Sequence, residues 1–168
     1  LILFFSLVVA ALAGGVGTWK NYLAYSDVQW VEEGSNKLYV LASNSLYTYN
    51  KNDQSIKTYD KVNGLSDTDI RFIAWNKTAR RLVIIYSNNN IDLLDDRGNV
   101  TNVPDYYLKT TMADKTINGI DMSGVYCYLS TGFGLVKLNV AKAEISDSYN
   151  LSFPVNYSYI EGGYIYAA

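Results

Sequence analysis

The sequence predicts an all-β chain, a β-propeller of four-stranded antiparallel blades, with a partial ring of about three and a half blades following a signal peptide. Three observations carry this. Sixteen tyrosines and three tryptophans beside only two prolines suit strands with large amphipathic surfaces. A unit of about 43 residues recurs, with apolar segments LYVLAS (38–43), LVIIYS (82–87) and VYCYLS (125–130) closing on Ser43, Ser87 and Ser130. Each unit divides into four short strands, and four strands in a repeat of this length is the period of a propeller blade.

The elements follow in order. Residues 1–13, LILFFSLVVAALA, are too short to cross a bilayer and end in the A-x-A site Ala11-Leu12-Ala13 ahead of Gly14-Gly15. They read as a truncated signal peptide, and the polar Thr18-Trp19-Lys20-Asn21 that follows argues against a buried helix. Residues 17–26 resemble the rim strand at 56–59 and are expected to close the ring by completing a blade beyond residue 168. Blade 1 is expected over 27–69, blade 2 over 70–116, blade 3 over 117–156 and the start of a truncated blade 4 over 157–168. The missing initiator Met and the final YIYAA, which reads as the second strand of a fourth unit, suggest a piece of a longer protein.

Within each unit the second strand is apolar on both faces, as in Leu82-Val83-Ile84-Ile85, which a strand with one wet face would not be. Third strands follow at 45–50, 91–95 and 134–139. The more polar fourth strands lie at 55–60, 99–103 and 143–149. In the first of these, Ile56 and Thr58 share one face and Lys57 and Tyr59 the other. Polarity rising along each repeat fits a blade running from hub to rim, its inner strands sandwiched between neighbouring blades.

A net charge of −2 supplies no field for nucleic acid. With no histidine, a Ser-His-Asp or Cys-His centre and His-ligated metal cannot be built from these residues. Cys127 stands alone, so no internal disulfide forms, and its place between Val125 and Leu129 reads as a small buried residue. Asp92, Asp95 and Asp96, downstream of Asn88-Asn89-Asn90, could serve as calcium ligands. They lack EF-hand spacing, and Asp95 to Asn99 suits a tight turn better. Asn63-Gly64 suits a turn needing positive φ. Tyr39, Tyr47, Tyr49, Tyr126 and Tyr128 lie within strands and are read as packing rather than glycan platforms. Sequons at Asn76, Asn99, Asn150 and Asn156 carry no assignment. No catalytic, cofactor or metal residue is assigned. The candidate interaction residues are Asp105, Tyr106, Tyr107 and Lys109, in the long connection from Pro104 to Lys115, with simple loop variability as the competing reading.

Asn63-Gly64-Leu65-Ser66-Asp67, with Ile70 and Ile73 after it, resembles the NGLSD signature of the two-component-regulator propeller repeat of Bacteroidetes. GTWKNYLAY (17–25), TYDKVNGLSDTDI (58–70), YSNNNIDLLDDRGNV (86–100), DKTING (114–119) and YLSTGFGLV (128–136) together resemble the N-terminal β-propeller of PorZ-like proteins of the type IX secretion machinery. The resemblance implies an exported protein, in the periplasm or at the outer-membrane surface, carrying further blades, a second propeller and a C-terminal domain. It implies a non-enzymatic scaffold that meets protein partners of an attachment complex, and lipopolysaccharide as a further contact. The alternative is the periplasmic propeller of a hybrid two-component regulator that senses an oligosaccharide.

Overall fold

The computed structural model describes residues 25–168 except Met112. The signal peptide expected over 1–13, and the closing strand expected over 17–26 except its last two residues, lie outside the described residues. Tyr25 and Ser26 have no regular structure.

Three four-stranded antiparallel sheets and one hairpin follow each other along the chain. The first holds β1 (Val28–Glu33), β2 (Lys37–Ala42), β3 (Ser45–Asn50) and β4 (Ile56–Tyr59). The second holds β5 (Ile70–Asn76), β6 (Arg81–Tyr86), β7 (Ile91–Asp95) and β8 (Val100–Asn102). A one-turn helix, α1 (Asp105–Leu108), leads into the third: β9 (Ile117–Ser123), β10 (Tyr126–Thr131), β11 (Gly134–Asn139) and β12 (Glu144–Asn150). β13 (Ser158–Glu161) and β14 (Tyr164–Ala167) pair as the hairpin. Each strand pairs with its sequence neighbours, so every sheet is a meander without crossover, as blades require.

Strand alternation explains the two-sided apolar pattern. Leu82, Ile84 and Tyr86 of β6 pack toward the first sheet with Tyr39, Leu41 and Leu46. Val83 and Ile85 of the same strand pack toward the third sheet with Cys127, Leu129 and Val136. Residues 82–86 are all fully buried, because a neighbouring blade covers each face. The core is therefore two sheet-on-sheet seams, one on either side of the second blade. Tyr39 stacks on Trp75 across the first seam at 5.3 Å between ring centres. On the rim strand β4 only Tyr59 is buried, while Ile56 faces solvent.

Lys37 and Arg81 head β2 and β6, and each reaches across a seam to a turn of the next blade. Lys37 Nζ donates to the Asp96 carbonyl at 2.7 Å, and Arg81 Nη1 donates to the Val140 carbonyl at 3.1 Å. A basic residue thus stands ahead of the core segment in the first two blades, whereas Gly124 precedes that of the third.

Candidate interaction cleft

The rim of the second blade is unusually short. β8 has three residues, whereas β12 of the neighbouring blade has seven. A strand that ends early leaves the outer part of the next blade's face uncovered, and the Pro104–Lys115 connection fills the gap as α1 and a return loop.

Two reciprocal contacts brace that connection. Tyr106 turns inward, 4% exposed, and its hydroxyl donates to the Lys115 carbonyl at 2.7 Å. Lys115 Nζ donates back to the Tyr107 carbonyl at 2.9 Å and the Lys109 carbonyl at 2.8 Å, and lies 5.3 Å from the Tyr106 ring centre. Carbonyls at the end of a helix turn lack intrahelical donors, so a lysine is a natural cap for them. Burial pushes the Tyr106 phenol above its ordinary pKa and keeps it a neutral donor.

Between this brace and the third blade lies a cavity of about 300 Å³. Phe133, Val136 and Ile145 form its apolar floor, and Asp105, Lys109 and Ser148 are among its polar lining. The four residues predicted from sequence therefore have different roles. Asp105 and Lys109 line the cavity, Tyr106 anchors the loop, and Tyr107 points outward, 45% exposed beside the more exposed Leu108. The floor from β11 and β12 could not be read along the chain. The available signal was the contrast between the short NVTNV and the long AEISDSY.

The other marked residues separate as clearly. Asp95 accepts from the backbone N–H groups of Arg97 and Asn99 and from the Asn99 side chain, which is turn chemistry. Asp92 is different: it is fully buried in β7 and serves as a structural acceptor. The Tyr86 hydroxyl donates to it at 2.6 Å, the Ser66 N–H at 2.8 Å and the Asn102 amide at 2.9 Å. Ser66 belongs to the NGLSD element, so this carboxylate ties the inter-blade connection to the second blade. Gly64 has φ +125°, the conformation the Asn63-Gly64 turn was read to need. Asp60 accepts from the N–H groups of Val62 and Asn63 within the same turn. Cys127 is fully buried, and burial raises its thiol pKa. Tyr39 and Tyr128 are buried in the blades, and Tyr126 carries the Lys137 ammonium 4.0 Å from its ring centre.

A second hollow of about 670 Å³ lies among the first strands β1, β5 and β9, lined in part by Trp30, Arg71, Phe72 and Asp121. Among the described residues no group of three or more His, Cys, Asp or Glu side chains could hold a metal ion. No helix among them is long and apolar enough to cross a membrane.

Successive antiparallel blades with apolar seams define a partial β-propeller. The chain belongs to the family described as the type IX secretion system PorZ N-terminal β-propeller domain, whose profile matches residues 38–168. It is similar to the structure of PorZ, a bacterial surface component of the type IX secretion system of Porphyromonas gingivalis. Identity is 37% and the TM-score 0.76, over 83% of this chain and 19% of that one. It is also similar in fold to the extracellular domain of BT4673 from B. thetaiotaomicron, at 16% identity and TM-score 0.65 over 89% of this chain and 21% of that one. AztD from Citrobacter koseri matches at 14% identity and TM-score 0.63, over 84% of this chain and 40% of that one. The last two show the fold alone. No curated protein matches the chain. The chain spans about a fifth of the PorZ structure it matches.

Proposed function

We propose that this chain is the N-terminal propeller of a non-enzymatic scaffold in a type IX secretion machinery, exported and held at the outer-membrane surface. There it meets protein partners of the machinery, with lipopolysaccharide as a further contact. The observation that carries the reading is the 37% identity to PorZ over 83% of the chain, in a family matched from residue 38 to residue 168. The connection between the second and third blades supports it, because a loop braced by hydrogen bonds beside a sheet is suited to recognition. The oligosaccharide-sensor alternative leans on BT4673, whose structure is also described as a hybrid two component system and shares 19% identity, a likeness of fold alone.

Deleting the gene in its host and following type IX cargo tests the reading. Cargo is expected to fail to reach the cell surface, and normal surface display would contradict the proposal.

A further inference from the structure

We propose that Asn63 is a guarded modification site, where spontaneous deamidation through Gly64 is held back by the turn between the first two blades and follows its local opening. The proposal does not depend on the secretion reading.

An asparagine followed by glycine is open to this chemistry because glycine has no side chain to shield its backbone nitrogen. The Gly64 nitrogen loses its proton to hydroxide and attacks Cγ of Asn63. The Cγ–Nδ2 bond breaks, ammonia leaves, and water opens the resulting succinimide ring to aspartate or isoaspartate. The chain holds two such pairs, Asn63-Gly64 and Asn118-Gly119, in different settings. Asn118 and Gly119 lie within β9, and a Cβ at Gly119 would meet the Asn156 carbonyl oxygen at 2.6 Å, so the backbone there is covered. Asn63 and Gly64 are exposed in the connection between β4 and β5, and the Gly64 N–H makes no hydrogen bond among the described residues.

The Asn63 side chain is what restrains the exposed pair. Its Nδ2 donates to the Thr58 carbonyl at 3.0 Å, and its Oδ1 accepts from the Asp60 N–H at 2.7 Å. The Asn63 N–H is held in turn by the Asp60 carboxylate at 3.0 Å and the Asp60 carbonyl at 3.2 Å. Reorienting the amide onto Gly64 gives up both side-chain bonds, which slows the attack by a factor of about ten or more. Residues 61–64 are all exposed and their backbone bonds run within the turn, so the connection opens without unfolding a blade.

The change does not reverse. An aspartate at this position sets a carboxylate oxygen against the Thr58 carbonyl in place of an N–H donor, and adds a negative charge beside the Asp60 carboxylate. Ser66 of the same connection donates to Asp92, so the damage reaches the tie between the first and second blades.

The test follows both pairs over time by peptide mapping with mass spectrometry, using the full-length protein in mildly alkaline buffer, native and in urea. Asn63 should deamidate about tenfold or more slowly in the native protein than in urea. Asp60→Ala removes the carboxylate that holds the Val62 and Asn63 N–H groups, and should raise the native rate at Asn63 severalfold while Asn118 stays unmodified. Asn63→Asp should lower the melting temperature by about 2–4 °C. The proposal would be overturned by equal native and urea rates at Asn63, by an unmodified Asn63 in urea or by indifference to Asp60→Ala. Native modification of Asn118 ahead of Asn63, or an Asn63→Asp variant that melts like wild type, would overturn it equally.

Discussion

Asp92 sits between Ile91 and Leu93 with none of its surface exposed, and three donors from three segments converge on it. A buried acceptor of this kind stabilises little on balance but is costly to break, because its donors are left unpaired. Asp92→Ala is expected to cost about 3 kcal/mol or more in chemical unfolding of the propeller, and Tyr86→Phe about 1–2 kcal/mol. Equal and small losses would show that the donors find water. Titration adds a second expectation. Burial opposes ionisation of Asp95, but hydrogen bonds from Asn99, Arg97 and Gly98 outweigh it and hold the carboxyl below its ordinary value. Asp67 is lowered similarly, with Asn88 and Thr68 as donors and Lys61 nearby overcoming burial. A depressed carboxyl stabilises the fold above its unfolded pKa, and that contribution is lost as pH falls through the folded value. Stability should therefore decline below about pH 4. Burial raises Tyr39, Tyr86 and Tyr106, whose contribution is present below the unfolded phenol pKa and lost as pH rises. Decline should begin again above about pH 10, as seen by fluorescence-monitored melting across pH. Cys127, buried with a raised pKa, should react with a thiol reagent only after denaturation.

At the scale of elements, β6 shows what periodicity can reveal. Five successive apolar residues exclude a wet face, and the fold supplies a neighbour on each side. Ile84→Ala should cost about 2–5 kcal/mol, whereas Ser146→Ala on the exposed rim strand β12 should stay within about 0.5 kcal/mol. Gly134 opens β11 at φ +145°, and a Cβ there would lie 2.1 Å from the Tyr149 carbonyl oxygen. Gly134→Ala should accordingly unfold the third blade's rim, detectable as lost amide protection in β11 and β12. The strands were legible because alternation and turn residues are local. SLYTYN and IDLLD coincide with β3 and β7 to the residue. The cleft was only half legible. Asp105, Tyr106, Tyr107 and Lys109 stand together in the chain, but their inward or outward direction depends on one helical turn packed against a blade some forty residues later. Sequence ranks Tyr106 and Tyr107 alike, and packing separates them into anchor and lip. The role of Asp92 was not legible for a related reason: its donors lie in the inter-blade connection and neighbouring strands, which no local spacing brings together.

For the whole molecule, blades stabilise one another through their seams, and the hairpin β13–β14 presents Tyr159, Tyr164 and Tyr166 to solvent at 56%, 70% and 57%. An aromatic face of this kind favours association. The 168-residue chain should self-associate with rising concentration in sedimentation velocity, and a monodisperse monomer with cooperative, reversible melting would contradict that. We propose that the full-length protein recognises its partners at the seam between the second and third blades, on a loop pinned by the hydrogen bonds of Tyr106 and Lys115. The most direct test of that claim is quantitative affinity purification of the tagged full-length protein from outer membranes, comparing wild type with Tyr107→Ala/Lys109→Glu. Wild type should recover type IX secretion components, and the variant should lose them while keeping its melting temperature. Equal recovery by both, or no such components with wild type, would contradict the account.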